Sequence, residues 1–258
     1  MLESLSEFSV LVICGVMASI APVVALITNF CVAVPMGKFL SQHWVWGAHF
    51  PPLLGWVMME SFALLSLPIF LGGSLSQQPV NRLLLLLFFF HYAYRSLLYP
   101  LLKRSKKPFP LLILLLGMVT CLSNAVIQGR MLGQYTQYPE DWLTRPHVLL
   151  GLLCWLSGFV LQVQSELVLR SLRANADDAG YYVPKGACFH RVTSSHYFGE
   201  VLEWFGFALA TSNASGLAFF IYSFCYLAPR ALTNHEWSKR TFGDAHPANS
   251  KAIIPFIL

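Results

Sequence analysis

The chain has 258 residues, of which 56% are hydrophobic and only 11% are charged, and its formal net charge is +5. Soluble domains carry about 25% charged residues, so this composition excludes an ordinary soluble domain and predicts a polytopic membrane protein. The six cysteines show no CxxC pair and no Cys/His ligand spacing, so neither a disulfide framework nor a bound metal is predicted.

Apolar runs long enough to cross a bilayer recur along the chain. A transmembrane helix needs about 20 apolar residues, and the last run is divided by a turn-like Ser-Asn-Ala-Ser-Gly segment at 212–216. We therefore predict an all-α membrane bundle of seven transmembrane helices. The alternative is six spans, with 196–238 as one long bent helix. The predicted spans are residues 8–34, 52–73, 81–102, 109–132, 146–169, 196–212 and 215–238.

The basic residues are distributed unequally between the two ends of these spans. Most of the 17 lysines and arginines fall at one end, with clusters at 103–107, 170–191 and 230–251. Cytoplasmic loops of membrane proteins carry an excess of basic residues, so this end is predicted to face the cytoplasm. The C-terminus is then cytoplasmic and the N-terminus lies outside, as an odd number of spans requires.

Polar side chains at membrane depth are the first functional candidates. Glu60 lies in the middle of the second span, and Tyr92 lies in the third, one turn deeper than Arg95 and Tyr99, which suit interfacial anchoring. A carboxyl group at this depth is costly unless it is paired, protonated or facing a polar cavity. A protonated acid bonded to a neighbouring helix is the structural alternative to a functional Glu60. A tyrosine hydroxyl beside such an acid would suit polarisation of a carbonyl oxygen.

Two further helices carry polar groups on one face. Asn124 and Gln128 are spaced i, i+4 on the fourth span, where hydrogen bonds between helices and a ligand role are both open. Glu166, Arg170 and Arg173 share a face at the basic end of the fifth span. A solvated ion pair explains them, and so does an anion site for phosphates, for which arginine is well suited.

The sixth span carries Glu200 and Glu203, which lie near one face of a helix because they are three residues apart. They predict a polar pocket inside the bundle, with Glu203 bonded to a neighbouring helix. The chain contains no G-x-G-x-x-G and no G-x-x-x-x-G-K-[ST] motif. A nucleotide would therefore not be held by a Rossmann or P-loop fold.

The C-terminal third resembles the steroid 5α-reductase family, the 3-oxo-5-alpha-steroid 4-dehydrogenases. The similarity extends upstream and covers about residues 45–258, including the acid of the second span and the His-Tyr pair of the third. The motifs that carry it are YVPKG at 182–186, YFGEVLEW at 197–204 with GFALA after it, HEW at 235–237 and KAIIPFIL at 251–258.

The resemblance implies NADPH-dependent reduction of the 4,5 double bond of 3-oxo-Δ4-steroids to 5α-3-oxosteroids, in a single reductase domain over 1–258. Glu60 and Tyr92 would polarise the 3-keto group as hydride reaches C5, and Trp56 and Met59 would contact the steroid. Most of the NADPH site would lie within about 105–258. Alternatives are a reductase of another conjugated lipid, such as an enoyl thioester or a sterol ring alkene, and a non-catalytic sterol-binding protein.

By motif, the resemblance assigns cofactor binding to a mainly polar set of side chains, in which Glu200 would position the carboxamide or ribose. The set is Lys107, Asn124, Gln162, Glu166, Arg170, Arg173, Tyr181, His196, Glu200, Arg230, Asn234 and His235.

Several positions depart from the family pattern and indicate a divergent member. Met59 stands where Gln is usual, Gln162 and Glu166 stand where Asn and Asp are usual, His196 replaces Asn, and Asn234 replaces the first of two histidines. The expected partners are a steroid of the testosterone or progesterone type and membrane lipid, without nucleic acid. We expect a monomeric multi-pass protein of the bacterial inner membrane or the endoplasmic reticulum.

Overall fold

A computed structural model describes residues 6–30, 37–41, 43–104, 107–173 and 180–258. Within these residues the chain is mostly helical, and two short strands, β1 (His49–Phe50) and β2 (Phe109–Pro110), pair in antiparallel register with His49 opposite Pro110. The helices are α1 (Glu7–Phe30), α2 (Pro52–Ser61), α3 (Ser66–Leu71), α4 (Pro79–Ala93), α5 (Tyr99–Leu102), α6 (Leu111–Arg130), α7 (Pro146–Ser171), α8 (Ser195–Thr211) and α9 (Ala214–Phe242).

The third predicted span runs from α4 through α5 and contains a π-helical turn at Tyr94–Leu98. Pro100 has no backbone N–H, and its ring crowds the carbonyl group four residues earlier, so an ordinary helical turn is disfavoured here. The turn is wider instead, and the Tyr99 N–H donates to the Tyr94 carbonyl oxygen. Such turns often lie at functional sites, and this one carries Arg95.

Among the described residues, five helical stretches are long and apolar enough to cross a membrane, judged by length and composition. They correspond to the predicted second, third, fourth, fifth and seventh spans, so the chain is a multi-pass membrane protein. The stretches are Pro52–Leu71, Pro79–Leu102, Leu111–Tyr135, Pro146–Ser171 and Ala214–Ala245.

The first and sixth predicted spans also form helices, α1 and α8. The apolar part of α1 is the shorter stretch Glu7–Ile20, and α8 has 17 residues. Residues 31–34 of the first predicted span lie outside the described residues. The total of seven spans and the orientation of the termini therefore stay predictions.

The predicted turn between α8 and α9 is confirmed. Ser212 has left-handed backbone angles, with φ at 43°, and ends α8. The Asn213 side chain then caps α9 by accepting a hydrogen bond from the Gly216 N–H at 2.9 Å. The two helices pack against each other, so this segment does not form the single long bent helix of the alternative.

Close packing of α7 on α8 brings the fifth and sixth predicted spans into direct backbone contact. A Cβ atom placed on Gly158 would lie 2.4 Å from the Glu203 nitrogen, and one on Gly206 would lie 2.3 Å from the Trp155 nitrogen. Glycines allow such an approach because they carry no side chain, and small residues are typical of helix contacts in membranes. This contact sets the polar ends of α7 and α8 side by side.

Candidate functional site

A buried arginine joins two glutamates from different helices. Arg95 Nη2 lies 3.4 Å from Glu60 Oε1 on α2, and Arg95 Nη1 lies 3.0 Å from Glu166 Oε1 on α7. The Tyr94 hydroxyl donates to the second Glu166 oxygen at 2.7 Å. The arginine side chain is only 11% exposed, and charges removed from water need such partners. We call Glu60, Arg95 and Glu166 the arginine bridge.

Aromatic rings hold the guanidinium of Arg95 in place. Its centre lies 5.2 Å from the ring of Trp56 and 4.5 Å from the ring of Tyr99, both within cation–π range. The sequence predicts that Arg95 is an interfacial anchor, but in the structure Arg95 is buried between α2 and α7. Its charge within an apolar run was the signal that could have identified it.

Glu60 and Tyr92 are both buried, at 6% and 5% exposure. They lie close enough to interact electrostatically. The Cys121 thiol donates to Glu60 Oε2 at 3.8 Å, and the Asn124 amide donates to the Tyr92 oxygen at 3.2 Å. The Tyr92 ring packs against Phe88, with ring centres 4.8 Å apart. The two predicted catalytic side chains thus share one buried region between α2, α4 and α6.

The two predicted steroid-contacting residues lie on the same helix as Glu60. Trp56 makes an edge contact with Phe109, with ring centres 5.4 Å apart. Met59 packs against α6 at Gly117, where a Cβ atom would lie 2.2 Å from the Met59 sulfur. Helix α2 therefore carries the Trp56 ring and the Glu60 carboxyl group, which both contact Arg95, and the Met59 thioether, which faces α6.

A cavity of about 320 Å³ opens next to Glu166, and we call it the basic cavity. Sequence reasoning had not assigned part of its lining to the site, namely Lys38, Tyr99, Lys103, Ser194 and Trp237. The predicted cofactor residues in its lining are Glu166, Arg170, Arg173, Tyr181, His196 and Asn234. Glu60 and Tyr92 are not part of this lining, and the arginine bridge connects Glu60 to it.

The basic cavity concentrates positive charge. Burial, with a smaller contribution from the Arg95 guanidinium, lowers the pKa of Lys103 to about 7. Burial also lowers the pKa of Lys38 to about 8, and the Lys38 ammonium lies 3.6 Å from the ring centre of Trp237. An anion bound near either lysine would favour the charged ammonium form.

Three polar atoms of the cavity lining are buried without a hydrogen-bond partner among the described residues: Arg170 Nε, Ser194 Oγ and His196 Nδ1. Buried polar groups are normally hydrogen-bonded, so such atoms indicate a ligand or water that completes them. Together with Arg173 and Lys103, they make a donor set that fits a phosphate-bearing cofactor.

Two predicted cofactor residues, Gln162 on α7 and Glu200 on α8, are not part of the cavity lining. Gln162 donates to the Glu200 carboxylate at 3.3 Å. Glu200 is within electrostatic range of Arg95 and of Glu60. Glu203, one turn further along α8, is hydrogen-bonded to His91 at 2.8 Å with both side chains buried. Its predicted bond to a neighbouring helix is thus present.

The other predicted cofactor residues are not part of the cavity lining, although His235 contacts Thr193, which is. Asn124 bonds to Tyr92 and Gln128 within the bundle. Arg230 donates to the Tyr226 hydroxyl and stacks on that ring at 4.0 Å. His235 is hydrogen-bonded to Thr193 at 2.6 Å. Lys107 does not line the cavity. The structure therefore does not gather the whole predicted cofactor set in one place.

Comparisons with known proteins give a consistent picture. The sequence model of a family described as 3-oxo-5-alpha-steroid 4-dehydrogenase matches residues 107–258. Human 3-oxo-5-alpha-steroid 4-dehydrogenase 1 is 39% identical over 211 residues, which cover 80% of each chain. Steroid 5-alpha-reductase DET2 of Solanum lycopersicum is 38% identical over 215 residues, covering 82% of this chain and 83% of the relative. Human 3-oxo-5-alpha-steroid 4-dehydrogenase 2 is 35% identical over 215 residues, covering 80% and 81%.

Proposed function

The chain belongs to the 3-oxo-5-alpha-steroid 4-dehydrogenase family, and we propose that it uses NADPH to reduce the 4,5 double bond of 3-oxo-Δ4-steroids to 5α-3-oxosteroids. Membership makes it a membrane-embedded oxidoreductase with a steroid substrate. The observation that carries the finer proposal is the arginine bridge. It links a buried acid beside Tyr92 to a basic cavity suited to phosphates.

The reacting carbonyl needs hydrogen-bond donors because negative charge grows on its oxygen as the enone accepts hydride. Glu60 and Glu166 share the Arg95 guanidinium, which carries one positive charge. Glu166 has the shorter contact and also accepts from Tyr94, so it is the better stabilised carboxylate. Glu60 then holds a proton and can donate it, together with the Tyr92 hydroxyl, to the 3-keto oxygen of the steroid.

The cofactor would bind along the basic cavity. Arg170, Arg173 and Lys103 would contact its phosphates, since basic side chains suit the pyrophosphate and the 2′-phosphate. When bound, the reduced nicotinamide would supply the hydride that C5 accepts, and uptake of a proton at C4 would complete the reduction and restore the 3-keto group. The hydrogen-bond donors of the lining, including His196, would fix the position of the cofactor relative to the arginine bridge. The remaining residues assigned by resemblance stay proposals for this role.

The proposal is tested with purified protein in lipid nanodiscs, NADPH, and testosterone or progesterone. We expect NADPH oxidation that depends on the steroid, and a 5α-reduced product identified by chromatography and mass spectrometry. NADH in place of NADPH should support less turnover, because it lacks the 2′-phosphate. Absence of a 5α product from several 3-oxo-Δ4-steroids would reject the proposal.

Met59 gives a reason to include a second substrate class, because it places an apolar group beside Glu60. An enoyl thioester and a sterol with a ring alkene should be offered in the same assay. Turnover of these compounds without turnover of a 3-oxo-steroid would establish a reductase of another conjugated lipid.

A further inference from the structure

A chain of buried amide side chains runs from the catalytic candidate Tyr92 to the start of α9. Asn124 Nδ2 lies 3.2 Å from the Tyr92 oxygen, and Gln128 Nε2 lies 3.2 Å from Asn124 Oδ1. Gln128 Nε2 also lies 3.0 Å from the backbone carbonyl oxygen of Ser215, and the Ser215 hydroxyl donates to Gln128 Oε1 at 2.9 Å. Asn124, Gln128 and Ser215 have no exposed surface.

The Ser215 carbonyl fixes the orientation of both amides. A carbonyl oxygen can only accept, so the Gln128 group that faces it must be the NH₂. The second N–H of that group points to Asn124, and Asn124 must therefore present its oxygen there. The nitrogen of Asn124 is left facing Tyr92. The oxygen and nitrogen positions of an amide side chain are ordinarily assigned from its hydrogen bonds. Here they follow from the Ser215 backbone carbonyl, which can only accept.

The consequence concerns the hydrogen of the Tyr92 hydroxyl. A phenol has one hydrogen to donate and can also accept. Because Asn124 donates to the Tyr92 oxygen, the tyrosine hydroxyl does not donate its own hydrogen to Asn124. We propose that Asn124 is a positioning residue that keeps Tyr92 as a donor toward the steroid carbonyl, and that Gln128 and Ser215 set the polarity of Asn124. This inference rests on the proposed function of Tyr92 and differs from the cofactor role predicted for Asn124.

The test is a double-mutant cycle between Asn124 and Tyr92. Asn124→Leu keeps the size of the side chain and removes its N–H. We expect kcat to fall about tenfold, the size of effect that one hydrogen bond carries, with an unchanged dissociation constant for NADPH. In a Tyr92→Phe background the same substitution should have almost no further effect on single-turnover NADPH oxidation, because the hydroxyl it positions is absent.

Asn124→Asp provides a second variant if the leucine variant fails to fold. It keeps the shape of the side chain and the acceptor that faces Gln128, but it can present a carboxylate oxygen to Tyr92. The tyrosine hydrogen is then drawn to this oxygen and away from the substrate. We expect the same pattern, namely a loss of kcat that disappears in the Tyr92→Phe background, with NADPH affinity retained.

Asn81→Leu is the matched control. Asn81 is also fully buried, and its amide donates to the carbonyl oxygens of Leu132 and Thr136 at 2.6 and 2.7 Å. Its substitution should lower the unfolding temperature without changing kcat, and any effect should be additive with Tyr92→Phe.

The outcomes separate this inference from the function on which it rests. Additive effects of Asn124→Leu and Tyr92→Phe on the rate would overturn the positioning role alone. Weaker NADPH binding with unchanged kcat would also overturn it and return Asn124 to the cofactor site. Full turnover by Tyr92→Phe itself would overturn both the catalytic assignment and the positioning role.

Discussion

Arg95 lies closer to Glu166 than to Glu60, with guanidinium-to-carboxylate distances of 3.0 and 3.4 Å. The pair with Glu166 is also the better supported one, because Tyr94 donates to the same carboxylate. The single Arg95 guanidinium therefore interacts more strongly with Glu166 than with Glu60. In the proposed mechanism this inequality divides their roles: Glu166, the more tightly held acid, would stay ionised at the cavity, and Glu60 would keep a proton for the substrate.

Glu60→Gln and Tyr92→Phe are each expected to reduce kcat by at least about 10²-fold, the usual scale for losing a donor to a developing oxyanion. The measurement is steady-state NADPH oxidation with a 3-oxo-Δ4-steroid. Ser61→Ala is the control, because Ser61 lies next to Glu60 but donates to the Val57 carbonyl of its own helix. Near-normal turnover in both catalytic variants would contradict the assignment.

Arg95→Met is expected to lower the free energy of unfolding by about 3–5 kcal/mol, the range for breaking a buried ion pair by removal of one partner. Most of this cost comes from the buried Glu166 carboxylate, which is left without a cation. Adding Glu166→Gln removes this charge, so the double variant should unfold at a higher temperature than Arg95→Met alone. A single variant as stable as the native protein would show that the bridge contributes little to folding.

Arg173→Ala is expected to weaken NADPH binding by ~1–3 kcal/mol, the range for hydrogen bonds to charged groups. Arg173 lines the basic cavity, where it would meet the cofactor phosphates. Arg145→Ala serves as the control, since Arg145 pairs with Asp141 before α7 and does not line the cavity. Titration calorimetry measures the affinity. Equal affinities of the two variants would place the phosphate site elsewhere.

NADPH affinity should decrease as the pH rises from about 6 to about 9. The Lys103 pKa of about 7 means that the unliganded protein loses this ammonium charge within that window. Phosphate groups have their second pKa near 6, so the cofactor itself keeps its negative charge above that pH. The charges that act on Lys103 are Arg95, Glu166 and Arg173. Lys103→Met should remove the part of the slope near pH 7, while Lys38, which lines the same cavity with a pKa of about 8, should keep the part at higher pH. A slope near pH 7 that survives this substitution would assign it to another group.

The same lysine gives a stability prediction with a definite sign. The ordinary pKa of 10.5 exceeds the folded value of about 7, so the unfolded chain binds more protons between these two pH values. Stability of the cofactor-free protein should therefore rise with pH in that window and show no Lys103-dependent slope below it. Thermal unfolding of the native protein and Lys103→Met across this range measures the difference, and identical slopes would contradict it.

Gly158→Ala should destabilise the α7–α8 pair by roughly 1–3 kcal/mol, the usual cost of overpacking. The added Cβ atom would lie 2.4 Å from a backbone nitrogen of α8, which cannot move without shifting the helix. Gly15→Ala in α1 is the matched control, because no heavy atom of the described residues, apart from its own stretch of helix, lies within 4 Å of the added carbon. Its helix should be unharmed or slightly stabilised, as alanine has the higher helix propensity. Equal unfolding temperatures for the two variants would contradict this account.

Features that depend on local pattern could be predicted from the sequence. Apolar runs fixed the positions of the main spans, since a helix in a bilayer needs a set length of apolar residues. The composition of 212–216 identified the turn at Ser212, and the resemblance identified the family. The depth of Glu60 and Tyr92 within apolar runs predicts a functional role for both, and the structure brings these two side chains near each other.

Which polar groups meet depends on how the helices pack in three dimensions. Arg95 and Glu166 are 71 positions apart, and their contact depends on the rotation of two helices and on the wide turn before Pro100. Asn124 on α6 bonds to Tyr92 on α4 and does not line the basic cavity, and Gln128, one turn further along α6, bonds to Ser215 on α9. Sequence periodicity shows which residues share a face of one helix. It does not show which neighbouring helix that face meets, because this depends on packing across the whole bundle.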